Sequence, residues 1–284
     1  MADPARLEPP VTGPVALVRW AWGAYREARA RGLVRLDPAR RRRRWWVGPV
    51  FGLAGWLSPL FYVGAPRLAV TFGTSPNEIM DFVVLCWILF LFAMPLIAAV
   101  LGVRAFLLER RTGTIDALRM TAIRRDLLVM TRFVEALRPL IWGLAGLLPA
   151  CLLLPTMLTA RIGGHIAGAF AAGAFVWLVE ALLVFTACAF GVTGSIRYAG
   201  FARALMWVSF FLLLDLPLVI FGVYCIVAAA LNLGGIVPDA ASAGFAIVLG
   251  VAGIGLGLVL FPLAGLRDGA FYFDAWTAAT EEAA

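Results

Sequence analysis

The 284-residue chain contains no lysine; all 24 of its basic residues are arginine. The phosphate-binding loop of the common nucleotide hydrolases places a lysine after its glycines. A chain without lysine cannot build that loop, so it cannot be that kind of ATPase alone. Histidine is reduced to His165. The helical zinc-hydrolase motif needs two histidines on one face and is excluded. The four cysteines, Cys86, Cys151, Cys188 and Cys225, fall in four different apolar runs without metal-ligand spacing. They read as small buried hydrophobes and not as disulfides. No nucleophile–base pairing is visible, so no catalytic residue, metal or cofactor is expected in the chain itself. Charge is scarce: 14% of residues are charged and 62% hydrophobic, where a soluble domain carries about 25% charged residues. That balance belongs to a membrane protein.

A membrane-crossing helix needs about 20 mainly apolar residues. Six segments qualify: Trp45–Gly64, Ile79–Val103, Leu137–Ala160, Ile166–Val192, Ala204–Leu231 and Ala243–Leu266. The chain therefore predicts an all-α polytopic bundle. It divides into a basic N-terminal tail (1–44), a six-span domain (45–266) with a polar insert (104–136), and a C-terminal tail (267–284). The first span begins after residue 44, later than a cleavable signal peptide would place it. The run Arg40–Arg44 abuts Trp45 and Trp46. It reads as a cytoplasmic anchor beside an aromatic belt, not as a nucleic-acid patch.

Arginines concentrate in the N-terminal tail, in the second link (Arg104, Arg110, Arg111, Arg119, Arg124, Arg125, Arg132, Arg138) and in the fourth (Arg197, Arg203). The positive-inside rule then places both termini and these links in the cytoplasm. In the tail, Val15, Val18, Trp22 and Tyr25 share one stripe of a helix over 14–35 that could lie on the membrane surface. Glycines at four-residue spacing allow close helix approach: Gly48 and Gly52, Gly164 and Gly168, Gly253 and Gly257. The run Gly253-Ile-Gly255-Leu-Gly257 lies in a span and is no dinucleotide motif.

The insert reads as two short helices. Thr114 can cap the first, with Asp116 in its first turn, where the helix dipole favours an acid. Thr121 can cap the second, whose apolar stripe of Ile123, Leu127, Met130, Val134 and Leu137 would run along the membrane surface into the third span. The string E-R-x-x-G-T-x-D-x-L-x-x-T (Glu109, Arg110, Gly113, Thr114, Asp116, Leu118, Thr121) resembles the signature of the type-2 ABC exporter permeases. The fourth link, Gly191 to Ala204, is similar to that family's second cytoplasmic loop. Two departures stand out: Ala122 where the family usually has proline, and Thr131-Arg132 where it usually has glycine-lysine.

The resemblance implies a permease subunit of an ATP-driven exporter in the bacterial inner membrane, without enzymatic activity of its own. It implies a homodimer or a heterodimer with a related permease, in the lipid bilayer, bound to an ABC ATPase subunit that holds ATP and magnesium. Residues Glu109 to Thr121, with Ile115 in the tip helix, would then transmit ATPase closure to the spans. Glu180 and Asp215 fall near the middle of spans four and five. An acid there is expensive and marks a translocation path, a shared proton or a polar seam; otherwise it is protonated and bonded to a neighbouring helix. A proton-coupled secondary transporter using these two acids, or a membrane scaffold without transport, are the alternatives.

Overall fold

A computed structural model describes residues 14–31, 46–111, 125–161, 166–198, 200–213 and 250–269, without the side chains at 108–111, 161 and 167. Every regular element among them is helical. We number these helices α1 (Pro14–Ala30), α2 (Val47–Phe72), α3 (Pro76–Arg111), α4 (Arg125–Arg161) and α5 (Ile166–Arg197). The shorter α6 (Phe201–Leu213) and then α7 (Gly250–Gly269) follow.

Five of them, α2, α3, α4, α5 and α7, are long and apolar enough to cross a membrane. Their outer faces agree. On α3, Phe82, Leu85, Leu89, Phe92 and Leu96 are all more than half exposed. Their spacing forms one continuous stripe, and a stripe of that size suits hydrocarbon and not water. The chain is thus a multi-pass helical membrane protein. The fifth predicted span begins as α6; its remainder, including Asp215, lies outside the described residues.

Connectivity defines two ends of the bundle. The short α2–α3 connection marks a turn end. Gly73 adopts a left-handed conformation there (φ 65°) and its N–H closes on the Ala69 carbonyl, a geometry that needs no Cβ. Arg104, Arg125, Arg132, Arg197, Arg203 and Arg267 gather towards the other, arginine end. The helices outrun the predicted spans there. α3 continues past Val103 to Arg111, and α4 starts at Arg125 instead of Leu137. Hydropathy marks where lipid stops, whereas a helix continues as long as its backbone bonds and packing do. Packing does continue: Arg132 pairs with Glu135 at 2.7 Å, Phe133 meets Phe185 edge-on at 5.1 Å, and Arg104 lies 6.0 Å from the Phe201 ring.

The predicted surface-running ramp into span three is not what forms. Leu127, Leu128, Val129 and Met130 are all buried, so this first turn of α4 is enclosed on every side. A helix lying on a membrane would bury only one stripe.

Parallel neighbours approach most closely through glycine. A Cβ on Gly102 of α3 would lie 2.9 Å from Gly191 Cα of α5, and one on Gly191 would lie 2.9 Å from Gly102 Cα. On α2 and α4, a Cβ on Gly55 would strike the Gly146 carbonyl, and one on Gly146 would reach the Gly52 backbone. Of the predicted pairs, Gly52 takes part through its backbone and Gly253 and Gly257 are buried, while Gly168 is exposed. Gly164 lies outside the described residues.

α4 and α5 form an antiparallel hairpin, fixed by the Trp177 indole N–H donating to the Leu144 carbonyl at 2.8 Å. A π-helical turn, Leu256–Leu260, precedes Pro262 in α7. Pro262 has no N–H for the Leu258 carbonyl. That carbonyl instead accepts the Thr186 hydroxyl of α5 at 2.9 Å, the re-satisfaction that lets proline persist in a membrane helix.

The α1 helix turns its apolar stripe outward. Its inner face consists of Ala24 and Ala28, flanked by half-buried Trp20, Ala21 and Tyr25, and it rests on α4. Val15, Val18 and Trp22, the stripe the sequence marks as apolar, are exposed. Alanines permit closer seating on a helix than the bulkier stripe does.

Candidate functional site

Six polar side chains are buried among the described residues: Ser58, Thr131, Thr186, Thr193, Ser195 and Glu180. Five are hydroxyls that donate to a carbonyl one turn back, at 2.5 to 3.0 Å, Thr186 sharing its one proton between Leu182 and Leu258. That local bond satisfies a hydroxyl inside any helix and needs no functional explanation. Glu180 differs. It is only 6% exposed, and its Oε1 has no hydrogen-bond partner among the described residues.

Its position is central. Glu180 lies 14 residues along α5 from Ile166 and 17 from Arg197, or about 21 and 26 Å at 1.5 Å per residue. An acid at such depth is rare and normally faces the bundle interior, as Glu180 does. Cys151 of α4 is buried, and the Trp87 indole N–H of α3 is buried without a hydrogen-bond partner among the described residues. Tyr62 of α2 packs in the same cluster as Trp87, and its hydroxyl is likewise buried without a partner. A seam of under-satisfied polar groups is thus drawn from three helices, α2, α3 and α5. Trp87 and Tyr62 offer donors, and Glu180 supplies acceptor oxygens.

Sequence reasoning singled out Glu180 and missed Trp87 and Tyr62. The available signal was weak: each is an aromatic ring with one polar hydrogen that needs a partner when buried. Asp215 lies outside the described residues, as do Gly113, Thr114, Ile115, Asp116, Leu118 and Thr121. Glu109 and Arg110 belong to the last turn of α3, and their side chains are not described. Among the described residues no group of three or more His, Cys, Asp or Glu could hold a metal ion.

Fold and seam together define a polytopic helical membrane protein with a buried acid at mid-depth. No protein-family model, no curated protein and no solved structure matches the chain.

Proposed function

We propose that the chain is the permease subunit of an ATP-driven ABC exporter, working with a separate ATPase subunit. The observation that carries this reading is the placement of the string running from Glu109 to Thr121. It connects α3 and α4, helices of 36 and 37 residues. Each measures about 54 to 56 Å, against about 40 to 45 Å for a bilayer including its headgroups. Helices of that length reach beyond the bilayer, where a soluble subunit could approach their ends. The dense packing of Leu127 to Phe133 supports the same reading, because a push on the link is passed into the bundle only if its base is rigid. The absence of lysine agrees with ATP hydrolysis on another chain.

The experiment is gentle purification of the tagged full chain, with identification of any P-loop ATPase that accompanies it. Association and ATP-dependent transport should both be lost in Gly113→Pro and Asp116→Arg while membrane insertion persists. Unchanged association and transport in both variants would refute the reading.

The seam at Glu180 favours a second reading, a proton-coupled secondary transporter. Its transport would run without ATP and stop when the proton gradient is collapsed.

A further inference from the structure

The α1 helix has two unlike faces. Ala24 and Ala28 seat one of them on α4. The opposite face carries Val15, Val18, Trp22, Arg26 and Arg29 at steps of three and four residues, so the five side chains share one line along the helix. All five are exposed, and so is Arg19 on the border of the line. The line is apolar in its first half and cationic in its second. Trp22 leans on Tyr25, with ring centres 5.7 Å apart, and Tyr25 packs against the core. The indole is thus held outward by a neighbour that is itself anchored. Arg19, Arg26 and Arg29 make no ion pair among the described residues. Glu27, the one acid of the helix, lies off the line and pairs with Arg31.

Such a face suits neither hydrocarbon nor water. Unpaired arginines exclude the hydrocarbon core. α1 therefore rests on a part of α4 outside it, and α4 extends well beyond its predicted span only at the arginine end, from Arg125 to Ala136. Val15, Val18 and Trp22 match the boundary between headgroups and acyl chains, where tryptophan is favoured. Arginine stems are long enough to reach from that depth to the phosphates, and a guanidinium holds a phosphate through two parallel hydrogen bonds. The apolar half alone would suit any bilayer; the unpaired arginines select an anionic one. A second copy of this face would set arginine against arginine or against apolar side chains. A leaflet supplies the apolar and the anionic layer side by side. We propose that the exposed face of α1 docks on an anionic lipid surface, which holds the helix between α4 and the headgroups. The inference stands on α1 and does not depend on the permease reading.

The test places the full chain in nanodiscs of phosphatidylcholine alone, or of equal parts phosphatidylcholine and phosphatidylglycerol. Hydrogen–deuterium exchange read by mass spectrometry gives the protection of residues 14–31, with 168–197 of α5 as the internal reference. One arginine near an anionic surface strengthens binding about fivefold, so three give up to about a hundredfold. Protection of 14–31 should rise about tenfold to a hundredfold in the anionic discs while α5 stays unchanged, and high salt should remove most of the rise. The combined variant Arg19→Gln, Arg26→Gln, Arg29→Gln should be protected alike in both discs. Val15→Ser with Val18→Ser, a change nearly neutral in helix propensity, should lower protection in both discs. A photoreactive phosphatidylglycerol should cross-link within 14–31 in the wild type and not in the arginine variant. Equal protection of the wild type in the two discs overturns the proposal, whether the face is then open or covered by a protein. A lipid effect that the arginine variant keeps overturns it as well, as do unchanged protection in the serine variant or cross-links confined to other segments.

Discussion

Replacing Gly102 by alanine places a methyl group against backbone that has no flexible side chain to move aside. The added Cβ would meet the Cys188 carbonyl and lie 2.9 Å from Gly191 Cα and 3.1 Å from the Val192 nitrogen. All three belong to α5, so relief requires α3 and α5 to separate. Overpacking of this kind costs about 1–3 kcal/mol. Alanine also favours the helical backbone over glycine by about 1 kcal/mol, which offsets part of that loss. The matched control is Gly52→Ala: nothing lies within 4 Å of a Cβ there, so only the helical gain remains. Gly102→Ala should therefore be about 1–3 kcal/mol less stable than Gly52→Ala, with the wild type between them or close to Gly102→Ala. The assay is equilibrium unfolding of the purified chain in mixed micelles by increasing the mole fraction of dodecyl sulfate. Gly191→Ala should reproduce the loss, since its Cβ would lie 2.7 Å from the Ala99 carbonyl oxygen. If Gly102→Ala and Gly191→Ala both prove as stable as Gly52→Ala, the helices do not touch through backbone and the packing argument fails.

Thr186→Val keeps the shape but orphans the Leu258 carbonyl that Pro262 cannot serve; it should lose about 1–3 kcal/mol in the same unfolding assay. Thr193→Val, whose hydroxyl only bonds back to Ala189 at 3.0 Å, should lose clearly less, and equal losses would remove Thr186 from its bridging role. Glu180→Leu should raise stability by about 2–3 kcal/mol, because it removes a buried acid from mid-membrane, yet abolish transport measured in vesicles. A stable and fully active Glu180→Leu would strip the seam of function, and a destabilised one would mean the carboxyl has a structural partner.

Five of the six predicted spans were legible because lipid imposes a length and a polarity that few other constraints can mimic. Where the helices end was not legible. Arg104, Arg110 and Arg111 look like loop residues on a hydropathy scale, yet α3 runs through them. The face of α1 that packs on α4 was not legible either: Ala24 and Ala28 rank low in hydrophobicity, whereas close helix contact selects for small size. The same limit explains the glycines. Gly102 and Gly191 are single residues on different helices, so no spacing within one segment marks them; their pairing exists only once α3 and α5 lie side by side. Glu180 was legible by its cost alone, but the seam around it was not, since Tyr62 and Trp87 are ordinary aromatics until they are buried without partners.

The glycine contacts restrict how such a bundle can move. Gly55 and Gly146 join α2 to α4, and Gly102 and Gly191 join α3 to α5, each with backbone against backbone. Sliding within either pair would drive neighbouring side chains into the positions the glycines leave empty, so each pair behaves as one body. The antiparallel α4–α5 contact lies between the pairs and adds side-chain contacts to one glycine approach. It rests on the Trp177–Leu144 hydrogen bond, the Phe133–Phe185 ring contact and the approach of Gly173 to the Cys151 carbonyl. Pro155 cannot donate to that Cys151 carbonyl, which leaves it open to Gly173. Under the permease reading, displacement between the pairs would have to part the Gly173–Cys151 approach and the Trp177–Leu144 bond at the α4–α5 contact. Glu180 on α5 and Cys151 on α4 belong to opposite pairs. A change of access that separates α4 from α5 would bring water to the buried carboxyl at the same stroke that opens a path. A static α4–α5 distance across the transport cycle, measured between spin labels at the arginine ends of the two helices, would break that link between the seam and transport.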